Sequence, residues 1–143
     1  MSQTILGTTD DKITINGELT YSDIPGTRPE NHGLLMNARF IQGIFDDRAD
    51  VRRFSRFGCS WDADENTDGL IRALSEWKRY GLLAFTVGLQ GGMPVLTISN
   101  KTIDNNPYSE DGTRVNPEYL DRLDRLITAA DQLGMVVIVS LLY

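Results

Sequence analysis

Two runs almost free of polar residues, Leu82 to Leu89 and Met135 to Tyr143, constrain this chain more than anything else in it. Neither contains a charge. Each follows a segment of helical periodicity that ends in glycine, at Gly81 and Gly134. A strand with one face in water alternates apolar and polar residues. A near-continuous apolar run is expected of a strand covered on both faces, as in parallel sheets. The preceding helices fit that reading. Asn66 or Thr67 can cap the first, with Leu70, Leu74 and Trp77 on one face, so Trp77 is expected in the core. Asn116-Pro117 opens the second, with Leu120, Leu123, Ile127 and Ala130 along its buried stripe and Leu126 and Leu133 beside them. Helix, strand, loop, helix, strand is the pattern of parallel βα units.

Upstream, Ile13 and Ile15 alternate with polar residues, Asn16-Gly17 provides a turn, and Leu19 and Tyr21 resume the alternation, which predicts a short hairpin over Lys12 to Tyr21. Two prolines and a glycine then break regular structure between Ile24 and Pro29. From Gly33 a short strand over Gly-Leu-Leu-Met-Asn and then a helix carrying Met36, Phe40, Ile41, Ile44 and Phe45 are expected from the spacing. Arg48, Arg52 and Arg56 recur among Asp46, Asp47 and Asp50, and read as a solvated, charge-neutralised face. The long polar stretch from Met93 to Val115, with a small strand at Val95 to Ile98, reads as a functional loop.

Composition excludes several functions. Net charge is −6 with a pI near 4.7, which disfavours nucleic-acid binding, since neutralising phosphates needs a basic face; neutral substrates fit better. No apolar run is long enough to cross a bilayer. The start of the chain is polar and acidic and lacks the features of a secretory signal, so a cytoplasmic location is the default expectation. Cys59 is the only cysteine and His32 the only histidine, which removes an intrachain disulfide, a Cys-rich zinc site and a His-based metal site. Asp62-Ala63-Asp64-Glu65-Asn66 imitates a calcium loop, but Thr67 and Ala73 stand where glycine and glutamate are required, so these carboxylates read as helix-capping groups. No metal or cofactor is expected.

Several segments carry a likeness. Ile15-Asn16-Gly17-Glu18-Leu19-Thr20-Tyr21, Gly33-Leu34-Leu35-Met36-Asn37-Ala38-Arg39-Phe40 with Ile44-Phe45-Asp46-Asp47, Glu76-Trp77-Lys78-Arg79-Tyr80-Gly81 running into Leu82-Leu83-Ala84-Phe85-Thr86 and Leu89-Gln90-Gly91-Gly92, and Tyr119-Leu120-Asp121-Arg122-Leu123 before Gly134-Met135-Val136-Val137-Ile138 together resemble the opening part of cellulase-like (β/α)8-barrel glycoside hydrolases. The resemblance implies the N-terminal portion of a parallel TIM barrel over residues 33–143, preceded by the hairpin at 12–21, with the whole chain forming one partial domain. Such barrels typically need about 250 residues, and this chain has 143. The resemblance further implies hydrolysis of O-glycosidic bonds by two carboxylates, which in the family are glutamates on later strands, one of them following an asparagine. This sequence has no Asn-Glu dipeptide, so no catalytic residue carries over and the chain is expected to be inactive alone.

Ligands of parallel α/β proteins meet the carboxyl ends of strands. Amides and aromatic faces suit sugars, because amides both donate to and accept from hydroxyls and ring faces stack on one another. Gln90, Asn106, Trp61 and Tyr143 are the candidate carbohydrate-contacting residues, with Gly91, Gly92, Asn105, Pro107 and Tyr108 beside them. The alternative is a non-catalytic carbohydrate-binding or self-assembling module, which pairs its terminal strand, Val136 to Leu142, with another copy.

Overall fold

A computed structural model describes residues 2–50, 52–58, 60–89 and 106–141. It contains an antiparallel sheet in the order β1 (Leu6–Thr9), β2 (Lys12–Ile15), β3 (Glu18–Leu19) and a parallel sheet in the order β4 (Asn37–Arg39), β5 (Ala84–Gly88), β6 (Val136–Ser140). Two α-helices complete the described residues, α1 (Ala63–Arg79) between β4 and β5 and α2 (Pro117–Gln132) between β5 and β6. None of the described helices is long and apolar enough to cross a membrane.

The expected portion of a (β/α)8 barrel is not what forms. The chain is a small α/β domain in which the described residues form two separate three-stranded sheets, with β4 and β6 the outer strands of the parallel one. Charge-free runs behind glycine-terminated helices are common to every parallel α/β sheet, so the pattern specified the βα order without specifying closure. β6 also departs from a strand buried on both faces: Val136 is buried, but Ile138 is 39% exposed.

Local sequence explains most elements. Asn16 and Gly17 both take positive φ, 56° and 87°, the conformation of the tight turn that joins β2 to β3 with Ile15 opposite Glu18. Pairing ends at Leu19, and β1, which the alternation did not reveal, adds on the other side of β2. Helix α1 begins earlier than expected: the Asp62 carboxylate accepts from the Glu65 amide at 3.0 Å and is the N-cap. Asn66 and Thr67 instead face backwards, donating to the Gln42 and Gly43 carbonyls. Asn116 caps α2 through the Glu118 amide at 2.9 Å, with Pro117 in the first turn. No helix forms around Met36 to Phe45. Residues 37–39 pair with β5, and the chain then turns so that Phe40 stacks on Trp77 at 4.5 Å and Ile44 reaches the core. Their spacing of four comes from tertiary packing rather than helical periodicity.

Strand alternation sorts the parallel sheet. Ala38, Phe85, Val87, Val137 and Val139 belong to one hydrophobic cluster with Leu74 of α1 and Tyr119, Leu126 and Ala130 of α2, so both helices cover one face. Asn37, Arg39, Thr86, Ile138 and Ser140 take the other, where the Thr86 hydroxyl donates to the Asn37 side chain at 3.0 Å.

The antiparallel unit packs at the amino ends of the parallel strands. Tyr21, 7% exposed, donates its hydroxyl to the Met36 carbonyl and accepts from the Met36 amide, and burial raises its pKa. The N-terminal arm is fastened to the end of α2 by one carboxylate: Asp131 accepts from Ser2 Oγ and from the amides of Gln3 and Thr4 at 2.7–3.0 Å. The Gln3 amide and Ser2 hydroxyl lower its pKa from 3.8 to about 2. A depressed carboxylate pKa stabilises the fold above its unfolded value and loses that contribution as pH falls through the folded value. Amide hydrogen exchange at Gln3 and Thr4 is therefore expected to be protected at pH 5 and to lose its Asp131-dependent protection by about pH 2, and Asp131→Asn is expected to expose these amides already at pH 5. Equal protection in the variant and the parent at pH 5 would contradict this role for Asp131.

Candidate functional site

In an open parallel sheet the strands' carboxyl ends and the loops beyond them form the natural binding crevice. Here the β4–α1 and β5–α2 connections meet there, and the tripeptide Asp46-Asp47-Arg48 links them. Asp46 accepts the indole N–H of Trp61 at 3.2 Å. Asp47, with no exposed surface, accepts from Arg53 Nε at 2.5 Å and from the Ala49 amide at 3.2 Å. Arg48 reaches across and donates from Nη2 to the Asn106 carbonyl at 2.9 Å. Asp46 and Asp47 thus fold the β4–α1 connection onto itself, and Arg48 ties it to the β5–α2 connection.

The reading of this stretch as a solvated face holds for Arg48 and Arg52, which are exposed, and is corrected at Asp47. A carboxylate with no access to water needs a fixed countercharge, and Arg53, with a side chain only 16% exposed, supplies it. Of the repeating arginines, Arg52 lies in solvent, 3.9 Å from Asp50, and Arg48, also exposed, joins the two loops; the Arg56 side chain lies outside the described residues.

Trp61 sits in an aromatic cluster. Its ring lies 5.2 Å from Phe45, edge-on, and 5.1 Å from Phe54, while Phe57 in the neighbouring turn is 59% exposed. Beneath them Arg122 of α2, 2% exposed, donates from Nε to the Ile44 carbonyl at 3.3 Å and covers the Tyr119 ring at 4.8 Å. Ile44 and Phe45 are thereby anchored to the second helix, which fixes the base of the Trp61 loop.

On the other side, Asn106 is exposed and its side-chain oxygen accepts the Tyr108 amide at 3.2 Å. Pro107 is buried, and the half-buried Tyr108 donates its hydroxyl to the Leu141 carbonyl just past β6. The loop then folds on itself: Asp111 accepts from Ser109 and Thr113, and these hydrogen bonds lower its pKa, the Ser109 hydroxyl contributing most.

Of the four residues expected to contact sugar, Trp61 and Asn106 are brought to the same end of the sheet. Gln90 and Tyr143 lie outside the described residues, as do Gly91, Gly92, Asn105, Cys59 and the strand expected at Val95 to Ile98. His32 is remote from this end, beside the Thr27 hydroxyl at 3.2 Å. Trp77 is half-buried and borders a groove at the opposite end of the sheet. Sequence reasoning missed Asp46, Asp47, Arg48 and Arg53; the signal for them was adjacency to Trp61 within a segment that lacks regular structure. Among the described residues no group of three His, Cys, Asp or Glu side chains is placed to hold a metal ion.

The chain matches no protein-family model, no curated protein and no solved structure.

Chemically, this end of the sheet carries the half-buried Trp61 ring, the exposed Asn106 amide and the exposed Arg48 guanidinium. Both aspartates are committed, Asp46 to the indole and Asp47 to a buried ion pair. Neither resembles the free pair of carboxyl groups, about 5–9.5 Å apart, that glycosidic cleavage requires.

Proposed function

We propose that this chain binds a carbohydrate at the carboxyl end of its parallel sheet and serves glycoside hydrolysis as a recognition element, without cleaving the O-glycosidic bond on its own. The observation that carries this reading is the tie made by Asp46-Asp47-Arg48, which places the Trp61 loop and the Asn106 loop side by side. Planar amides and carboxylates satisfy vicinal hydroxyls, and an indole edge or face packs on the apolar side of a pyranose ring.

The test is isothermal titration with soluble β-glucan oligosaccharides and a panel of other neutral oligosaccharides. At least one is expected to bind, and Trp61→Ala is expected to weaken that binding about tenfold or more, roughly 1.4 kcal/mol, with the circular dichroism spectrum retained. Reducing-sugar release from the same oligosaccharides is expected to stay at the level of buffer alone. Binding that survives Trp61→Ala unchanged would remove Trp61 from the site, and sugar release by the purified chain would overturn the non-catalytic reading.

A further inference from the structure

The parallel sheet has two different edge strands, β4 and β6, and neither pairs with a further strand among the described residues. The hydrogen-bond pattern shows which groups face outward. Phe40 donates to Thr86, and β4 pairs Ala38 with Phe85, so the backbone groups of Asn37 and Arg39 point away from β5. Val136 donates to Leu83 and Ser140 accepts from Leu89, so those of Val137 and Val139 point away from β5 on the far side. From Met135 to Leu141 there is no charge and no proline, the devices by which edge strands normally resist pairing.

Each edge also adjoins a groove, apolar beside β4 and of mixed character beside β6. Beside β4 a groove of about 690 Å³ is lined by Met36, Phe40, Trp77, Tyr80 and Leu82, with Met36 68% and Tyr80 76% exposed. Beside β6 one of about 600 Å³ has an apolar side formed by Leu6, Ile127, Met135 and Val137, with Leu6 53% exposed, and a polar side formed by the N-terminal arm and Asp131; Leu120, 47% exposed, continues the apolar flank along α2.

We propose that copies of this chain associate head to tail, with β6 of one lying parallel to β4 of the next. The occupant is a second copy because the two edges complement each other in register. Setting Val137 opposite Ala38 of the second copy continues the row already formed by Ala38, Phe85 and Val137 within one sheet. The Val137 amide then donates to the Asn37 carbonyl and the Arg39 amide to the Val137 carbonyl, the two groups on β4 that face outward. Both side chains in that row fall on the helix-covered face, and Ile138 comes beside Arg39 on the other. Such a contact joins unlike surfaces, so it produces rings or filaments rather than closed two-fold pairs.

Size-exclusion chromatography with light scattering tests this. The parent chain is expected to rise with concentration from one chain mass to two or more. Val137→Pro and Arg39→Pro each remove one outward N–H without touching the bonds to β5. Each alone is expected to run as a single chain, and an equimolar mixture, which retains one intact edge of each kind, is expected to give a complex of two chains. The exposed-flank variants Leu120→Lys/Ile127→Lys and Tyr80→Glu should reproduce the pattern if either proline variant loses its circular dichroism signature. A parent chain that stays at one chain mass at every concentration, an Arg39→Pro chain that still self-associates, or a mixture that stays at one chain mass would each overturn head-to-tail pairing. None of these readings depends on whether a glycan binds.

Discussion

Replacing Phe85 by alanine is expected to lower the stability of the fold by about 3–5 kcal/mol, the range found when a buried phenylalanine is truncated. Phe85 is fully buried in the middle strand, 5.6 Å from the Phe40 ring, and packs in the cluster that Leu74, Tyr119, Leu126 and Ala130 form over the sheet. It therefore touches both helices' side of the core and has no solvent-facing direction in which neighbours can collapse. A domain of this size is stabilised by only about 5–15 kcal/mol in total, so the loss is a large fraction of it. Urea denaturation followed by tryptophan fluorescence measures the change, because Trp77 stacks on Phe40 within the same cluster. A shift below 1 kcal/mol would mean that Phe85 is not in the core.

Asp47→Ala is expected to cost about 3–5 kcal/mol, the penalty for removing one partner of a buried ion pair and leaving the other charge stranded. The loss should be local as well as global, since Asp47 stands between the residue that holds Trp61 and the residue that holds Asn106. The double variant Asp47→Leu/Arg53→Met separates charge from position. Replacing the pair by apolar groups of similar volume should recover most of the stability, whereas the single variant should not. If Asp47→Ala unfolds at the same urea concentration as the parent chain, the pair is not buried in solution.

The parallel half of the fold was legible because its signals are local and redundant. Asn116-Pro117 fixes where α2 begins, Gly81 and Gly134 fix where the helices end, and the charge-free runs after them mark the strands β5 and β6, the second of which lies at the sheet's edge with Ile138 exposed. Closure was not legible. Whether a third strand is followed by an edge or by another neighbour depends on tertiary partners that strand sequences do not encode one by one. β1 was missed for a related reason: Leu6 to Thr9 pairs fully with β2 although most of its side chains remain exposed, so it carries no alternation to read. The site was half legible. Trp61 and Asn106 have the chemistry of ligand contacts and could be named from residue type. Asp47 looked like solvent-exposed charge because burial of a charge is visible only in three dimensions, where Arg53 arrives from six positions downstream; Arg48 is exposed as expected, and what the sequence does not show is that it reaches Asn106 in a different loop.

The most direct measurement uses the two tryptophans as reporters. Their indole N–H groups give two resolvable proton resonances, and only that of Trp61 is bonded to Asp46 at the carboxyl end of the sheet, while Trp77 lies by the groove beside β4. Titration with the oligosaccharide that binds is expected to move the Trp61 indole resonance and the backbone amides of residues 46–48 and 106–108, and to leave the Trp77 resonance in place. Movement of Trp77 with Trp61 unchanged, or no movement at either with any oligosaccharide of the panel, would contradict carbohydrate recognition at this end of the sheet.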